Sequence, residues 1–155
     1  MARNSFYIIA HNIRSLYNVG SIFRTADAFG VDKIILTGYT GTPKNPRLAK
    51  TALGAEKYVA WEYQKQVKRV LRQLKKQKFN LVALENNVPR TTILNTFKPK
   101  FPLALMLGEE VGGIKKDYLK MCDRIIEIPM KGEKESLNVS VAFGVAVYHI
   151  NNYKK

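Results

Sequence analysis

At 155 residues, with 46% apolar content, 10 Gly and 6 Pro, the chain has the make-up of one globular domain and excludes a fibrous or low-complexity protein. Its 26 Lys and Arg against 12 Asp and Glu give a formal net charge of +14, which favours polyanionic partners, nucleic acid foremost. The single Cys122 excludes an intramolecular disulfide, the distant His11 and His149 form no metal-ligand cluster, and no apolar run reaches the ~20 residues of a membrane span.

The N-terminal MARNSFYIIAHN has too short an apolar stretch for a secretory peptide, so a cytoplasmic protein is expected. SFYIIA reads as the first strand. After a polar loop, Val19, Ile22, Phe23, Ala26 and Phe29 recur at helical spacing, with Gly30 as the C-terminal cap. KIILTG is the second strand, and YTGTPKNP is loop chemistry leading to a short helix from Leu48 to Leu53 that ends at Gly54. KYVAWEY gives a third strand. From Gln64 to Gln77 the residues Val67, Val70, Leu71 and Leu74 line one face of a helix otherwise covered by Lys and Arg. NLVALE, PLALMLG and RIIEIP are short, nearly continuous apolar runs of the kind buried on both faces, and IKKDYLKMC between the last two supplies a helix. The final helix runs from Leu137 through Tyr148 and is apolar almost all round, which places it against the sheet rather than on the surface. Tyr148, Ile150 and Tyr153 near the chain end are candidates for a subunit interface. Strands alternating with helices predict an α/β fold around a parallel sheet.

Ligands of such sheets bind beyond the carboxyl ends of the strands, which selects three loops. In NVGSIFRTADAFG, Gly20 permits close backbone approach, Asn18 can cap the helix, and Arg24 can reach an anion there or stand as a surface residue. The spacing is not a dinucleotide fingerprint, and no acidic residue ends the second strand, which argues against a nucleotide-binding oxidoreductase. In LGEEVGG, Gly108, Gly112 and Gly113 free the backbone to approach a bulky ligand, and Glu110 is either an acceptor for it or a helix-start carboxylate. In IPMKGEKESLNVSVA, Ser136, Asn138 and Ser140 alternate with Leu137, Val139 and Val141 at the mouth of the last helix, more polar residues than capping alone requires.

Taken in order, NVGSIFRTADAFG, LMLGEEVGG and IPMKGEKESLNVSVA resemble the three signature motifs of the SpoU/TrmH-type RNA 2'-O-ribose methyltransferases of the SPOUT superfamily, and the resemblance covers nearly the whole chain. It implies a single SPOUT methyltransferase domain over residues 1–155: a parallel sheet flanked by helices, with a C-terminal trefoil knot (the α/β-knot) that binds S-adenosylmethionine. It further implies a homodimer acting on tRNA or rRNA, whose active site combines the first motif of one subunit with the knot of the other; neither a metal nor a membrane is expected on the residue content above. By the same resemblance Arg24, Asn18, Glu110, Ser136 and Asn138 are the catalytic set. Leu84, Glu85, Asn86, Leu107, Gly108, Gly113, Ile128, Met130 and Leu137 fall where the family wraps the methyl donor. A noncatalytic RNA-binding or assembly factor that retains the fold is the alternative. The basic helix either guides RNA or is a solvated face.

Overall fold

Side-chain alternation in the strands splits the apolar residues between two layers. The computed structural model, which describes residues 3–155, forms a seven-stranded sheet with every strand pair parallel. In β1 (Phe6–His11), Phe6, Ile8 and Ala10 face one layer and Ile9 the other; in β6 (Leu103–Leu107), Leu103, Leu105 and Leu107 are opposed to Ala104 and Met106. The first layer is closed by α1 (Leu16–Ala28), the single-turn α2 (Ala49–Ala52) and α5 (Val139–Asn151). The second is closed by α3 (Val67–Lys76) and the short α4 (Lys116–Leu119). Burial on both faces is why these strands read as continuous apolar runs.

The strand order is β3-β2-β1-β6-β4-β7-β5, with β2 (Lys33–Thr37), β3 (Ala60–Gln64), β4 (Asn80–Leu84), β5 (Thr92–Ile93) and β7 (Arg124–Glu127) completing the sheet. The chain leaves β1 toward one edge through β2 and β3 and fills the other side with the later strands, so the order reverses between β1 and β6. That reversal is where an open parallel sheet gapes at its carboxyl end. Loops 12–15, 85–91, 108–115 and 128–138 all emerge there.

The structure departs from the sequence expectations at four points. The two-residue β5 and the single 3-10 turn after it carry too little periodicity to be read from sequence. Gly20 lies within α1 and packs on α2, where an added Cβ would meet Leu48 O at 2.7 Å, so the close approach is helix to helix rather than helix to ligand. The last helix starts at Val139 and buries only one face: Phe143, Ala146, Val147 and Ile150 are fully buried, whereas Val141, Val145 and Tyr148 are 52%, 43% and 61% exposed. Ile150 is therefore a core residue, not an interface candidate. Among the described residues, no helix is long and apolar enough to cross a membrane.

Candidate active site

Three of the motif residues form one chain of hydrogen bonds, and its direction follows from the groups at its ends. Asn138 is the N-cap of α5; its Oδ1 accepts from Ser140 N at 2.9 Å, from Val141 N at 3.4 Å and from Ser140 Oγ at 2.6 Å. With that oxygen committed to the helix start, Asn138 can only donate at its other end, and Nδ2 donates to Asn18 Oδ1 at 3.2 Å. Asn18 must then donate onward, and its Nδ2 meets Glu110 Oε1 at 3.1 Å, a carboxylate that can only accept. Segments 92 and 120 residues from Asn18 are thus fixed to it.

Asn18 does not cap α1. Ser15 does, its Oγ accepting from Asn18 N at 3.1 Å, which frees the Asn18 side chain for this role. So the capping duty read into Asn18 falls to Ser15, and that of the last helix to Asn138 alone.

Glu110 stands between two hollows. The larger, about 350 Å³, is lined by Leu84, Glu85 and Asn86 at the end of β4, by Leu107 to Ile114 at the end of β6 and beyond it, by Ile128 after β7, and by Glu135 to Leu137, Val139 and Ala142 at the mouth of α5. The smaller, about 270 Å³, is lined by Arg14, Ser15, Asn18, Tyr39, Glu109, Glu110 and Val111. Of the donor-binding residues expected from the motifs, all line the larger cleft except Met130, which lies in a neighbouring hollow with Glu127 and residues 132–135. Ser136 lines the cleft and makes no hydrogen bond among the described residues, leaving its hydroxyl available to a ligand.

The cleft walls are laced together. Glu85 Oε2 accepts from Ile114 N at 2.8 Å, and Glu85 Oε1 accepts from Asn86 N at 3.1 Å. Asn86 forms a reciprocal pair with Ile128, donating to its carbonyl at 2.9 Å and accepting from its N–H at 3.1 Å. Asn87 Nδ2 reaches Glu135 O at 3.2 Å. Gly113, at φ +66°, passes so close to the Glu85 carboxylate that a Cβ would collide with it. Glu85 is thus a strut between the loops as well as a lining residue.

Arg24 is not brought to either hollow. It projects from the outer, exposed side of α1 and has no partner among the described residues. Sequence reasoning missed Glu109 and Tyr39, whose Oε2 and OH are 2.7 Å apart across the smaller hollow, and Arg14 stacks over the Tyr39 ring at 6.0 Å. Acceptance by Glu109 raises the Tyr39 pKa above the usual phenol value. His11 is buried, with Nδ1 2.9 Å from Thr37 Oγ1 and its ring edge-on to Tyr118; burial lowers its pKa below 6.5, so it supports the site rather than facing a ligand. Burial pushes the Cys122 thiol up to about 12, an inert group. Among the described residues, no three His, Cys, Asp or Glu are placed to hold a metal ion.

A sequence model of the SpoU rRNA Methylase family matches residues 5–148. The chain is 32% identical over 141 residues to the 23S rRNA (guanosine-2'-O-)-methyltransferase RlmB of Nitrosomonas europaea, covering 91% of this chain and 54% of that protein. An AdoMet-bound rRNA methyltransferase from Sinorhizobium meliloti superposes with a TM-score of 0.87 at 25% identity, over 96% of this chain and 56% of that one. The A. aeolicus TrmH/SpoU tRNA modifying enzyme does so with a TM-score of 0.84 at 27% identity, over 97% and 75%. The chain spans little more than half the length of the curated relative, and the shared part is the one that holds all three bonded motifs. On the family match over nearly its whole length, the chain belongs to the SpoU rRNA Methylase family.

Proposed function

We propose that residues 1–155 act as one methyltransferase domain that moves the methyl group of S-adenosylmethionine to a ribose 2'-hydroxyl of tRNA or rRNA, as a cytoplasmic homodimer. The observation that carries this reading is the Glu110–Asn18–Asn138 hydrogen-bond chain at the boundary of the two hollows. One hollow takes the donor and the other takes the sugar.

The residues present fit the donor. The cleft volume of about 350 Å³ falls in the ~300–1,000 Å³ range of small-molecule sites, and Leu84, Leu107, Ile114, Ile128, Val139 and Ala142 give it the apolar walls that an adenine ring requires. When bound, S-adenosylmethionine supplies a methyl group made electrophilic by its sulfonium. The tie of the loop after β4 to residues 113–114 on one side and to 128 and 135 on the other supports a C-terminal knot around that group.

A ribose hydroxyl is a weak nucleophile, so the work of the chain is to hold it in line and to manage its proton. Asn18 keeps one Nδ2 hydrogen and one Oδ1 lone pair beyond its two bonds, both held in fixed directions, and these orient the sugar. Asn138 positions Asn18. Ser136 offers a free hydroxyl from the cleft wall. Arg24 binds the adjacent phosphate and stabilises negative charge on the attacking oxygen; a guanidinium of pKa above ~12 does not serve as a free base.

The place of Arg24 supports a dimer. It stands on the outer side of α1, and α1 lies against α5, with Phe29 edge-on to Tyr148 and Thr25 facing Gly144. The exposed Val141, Val145 and Tyr148 give that flank an apolar stripe. A second copy covering the stripe brings its Arg24 toward the first copy's cleft. Titration calorimetry with S-adenosylmethionine tests the donor site: saturable binding that is lost in Gly113→Val supports the reading, and no saturable binding by the wild type contradicts it.

A further inference from the structure

The first turn of α3 carries cations where helix energetics favours carboxylates. Burial of Val67, Val70, Leu71 and Leu74 explains why the remaining α3 positions face outward, but not their sign. The ten residues of α3 hold Lys68, Arg69, Arg72, Lys75 and Lys76 and no acid. Lys68 and Arg69 occupy the first turn, where the helix dipole disfavours positive charge, and Lys68, Arg72 and Lys76 are like charges four residues apart.

The α3 and α4 side of the sheet runs up to both hollows: α4 sets Tyr118 edge-on to His11 at the end of β1, and the loop that follows β1 carries Arg14 and Ser15 of the smaller one. Ile114 lines the cleft, and Lys115 and Lys116 follow it directly into α4. Lys68 joins the two helices through Asp117 at 3.6 Å, and Lys75 reaches the Met121 carbonyl just past α4 at 3.1 Å. Among the described residues the other ion pairs are Lys33–Glu62 and Lys154–Asp32, so Arg69, Arg72, Lys76, Lys116 and Lys120 have no carboxylate.

We infer that the α3–α4 face is the track on which the sugar-phosphate backbone of the RNA lies as it leaves the smaller hollow, where the sugar is held. The inference rests on the proposed RNA substrate and adds where the backbone runs. Helix α3, ~15 Å long, spans about four phosphates at the ~3.4 Å axial spacing of one strand. A polyanion there relieves both the like-charge repulsion and the dipole mismatch. RNA is preferred to an anionic membrane because the face carries no exposed large apolar side chain to insert: the exposed Tyr, Leu, Ile and Val residues lie on other elements.

The test is the salt dependence of binding to labelled bulk tRNA and, separately, to rRNA. Arg69→Glu/Arg72→Glu/Lys76→Glu is expected to flatten the slope of log affinity against log salt by about 2 to 3 and to lower affinity roughly a hundredfold at 0.1 M salt. S-adenosylmethionine binding and the melting curve stay as in the wild type. The Gln triple variant, milder in folding, should show a smaller shift of the same sign. Lys44→Glu/Lys50→Glu/Lys57→Glu, outside the α3–α4 face, changes net charge equally and should leave the slope in place. An unchanged slope in the first variant, or an equal loss in the control, overturns the track. So does loss of binding to phosphatidylserine vesicles while RNA affinity is kept. A wild type that binds RNA on this face yet transfers no methyl group sinks the enzyme reading and leaves the track standing.

Discussion

Asn18→Asp changes one atom of the site and reverses the logic of its hydrogen-bond chain. The Nδ2 that donates to Glu110 Oε1 at 3.1 Å becomes, in one orientation, a second carboxylate oxygen. At that separation two unit charges repel by ~1 kcal/mol in water and ~5 kcal/mol at an effective dielectric constant of 20. Asn18 is 6% exposed and Glu110 is exposed, so an intermediate cost of about 2 kcal/mol applies. Loss of a hydrogen bond to a charged acceptor adds ~1.5 kcal/mol. For a domain of this length each kcal/mol lowers Tm by about 3 °C, so Asn18→Asp should melt about 10 °C below the wild type at pH 7.5. Two carboxylates sharing the site raise the pKa of the pair above that in the unfolded chain. The penalty therefore grows as pH rises through the raised value and fades below it, because the protonated carboxyl again donates to Glu110. Near pH 5 the deficit should shrink to a few degrees. Asn18→Ala loses the bond without adding charge, and its deficit should be independent of pH. Melting curves of the three proteins from pH 4.5 to 8 decide the matter. If Asn18→Asp tracks Asn18→Ala at every pH, the bond to Glu110 does not exist in solution.

Val145→Glu places a charge in the exposed stripe of α5 and should yield a monomer in analytical ultracentrifugation with its melting curve little changed; a stable dimer would contradict the proposed interface. Arg24→Ala and Asn138→Ala should each abolish transfer, and an equimolar mixture should recover about a quarter of the wild-type rate through statistical pairing in a two-fold dimer. No recovery would mean that Arg24 serves its own subunit's cleft. Burial lowers the His11 pKa below 6.5, so the imidazole takes up its proton more readily in the unfolded chain, which removes stability as pH falls below 6.5. The wild type should therefore lose its stability advantage over His11→Gln between pH 7.5 and 5.5, and a constant difference would refute the burial argument.

The sheet was readable from the chain because Phe6 to Ala10, Leu81 to Leu84 and Leu103 to Leu107 are apolar on both faces, a pattern that only a doubly covered strand needs. Helix α3 was readable for the opposite reason, its apolar stripe being narrow and its remainder charged. The outer face of α5 is not legible in the sequence, because Val141, Val145 and Tyr148 carry the same apolar signal whether a sheet or nothing in the same chain covers them. In the site, motif wording pointed to Asn18, Glu110 and Asn138, but their mutual bonds span 92 and 120 residues and leave no trace in local spacing. The same holds for Tyr39 and Glu109, 70 residues apart, neither of which local chemistry distinguishes from a loop residue. The first motif carries Arg24 along with Asn18, although the fold of one chain leaves Arg24 outside both hollows.

The central claim is that this chain methylates a ribose oxygen of RNA. Incubation with S-adenosylmethionine carrying a labelled methyl group and RNA, followed by digestion to nucleosides and mass spectrometry, measures it directly. The account predicts label on 2'-O-methylated nucleosides, absent with Arg24→Ala; label on a base, or no transfer to any tRNA or rRNA, would contradict it.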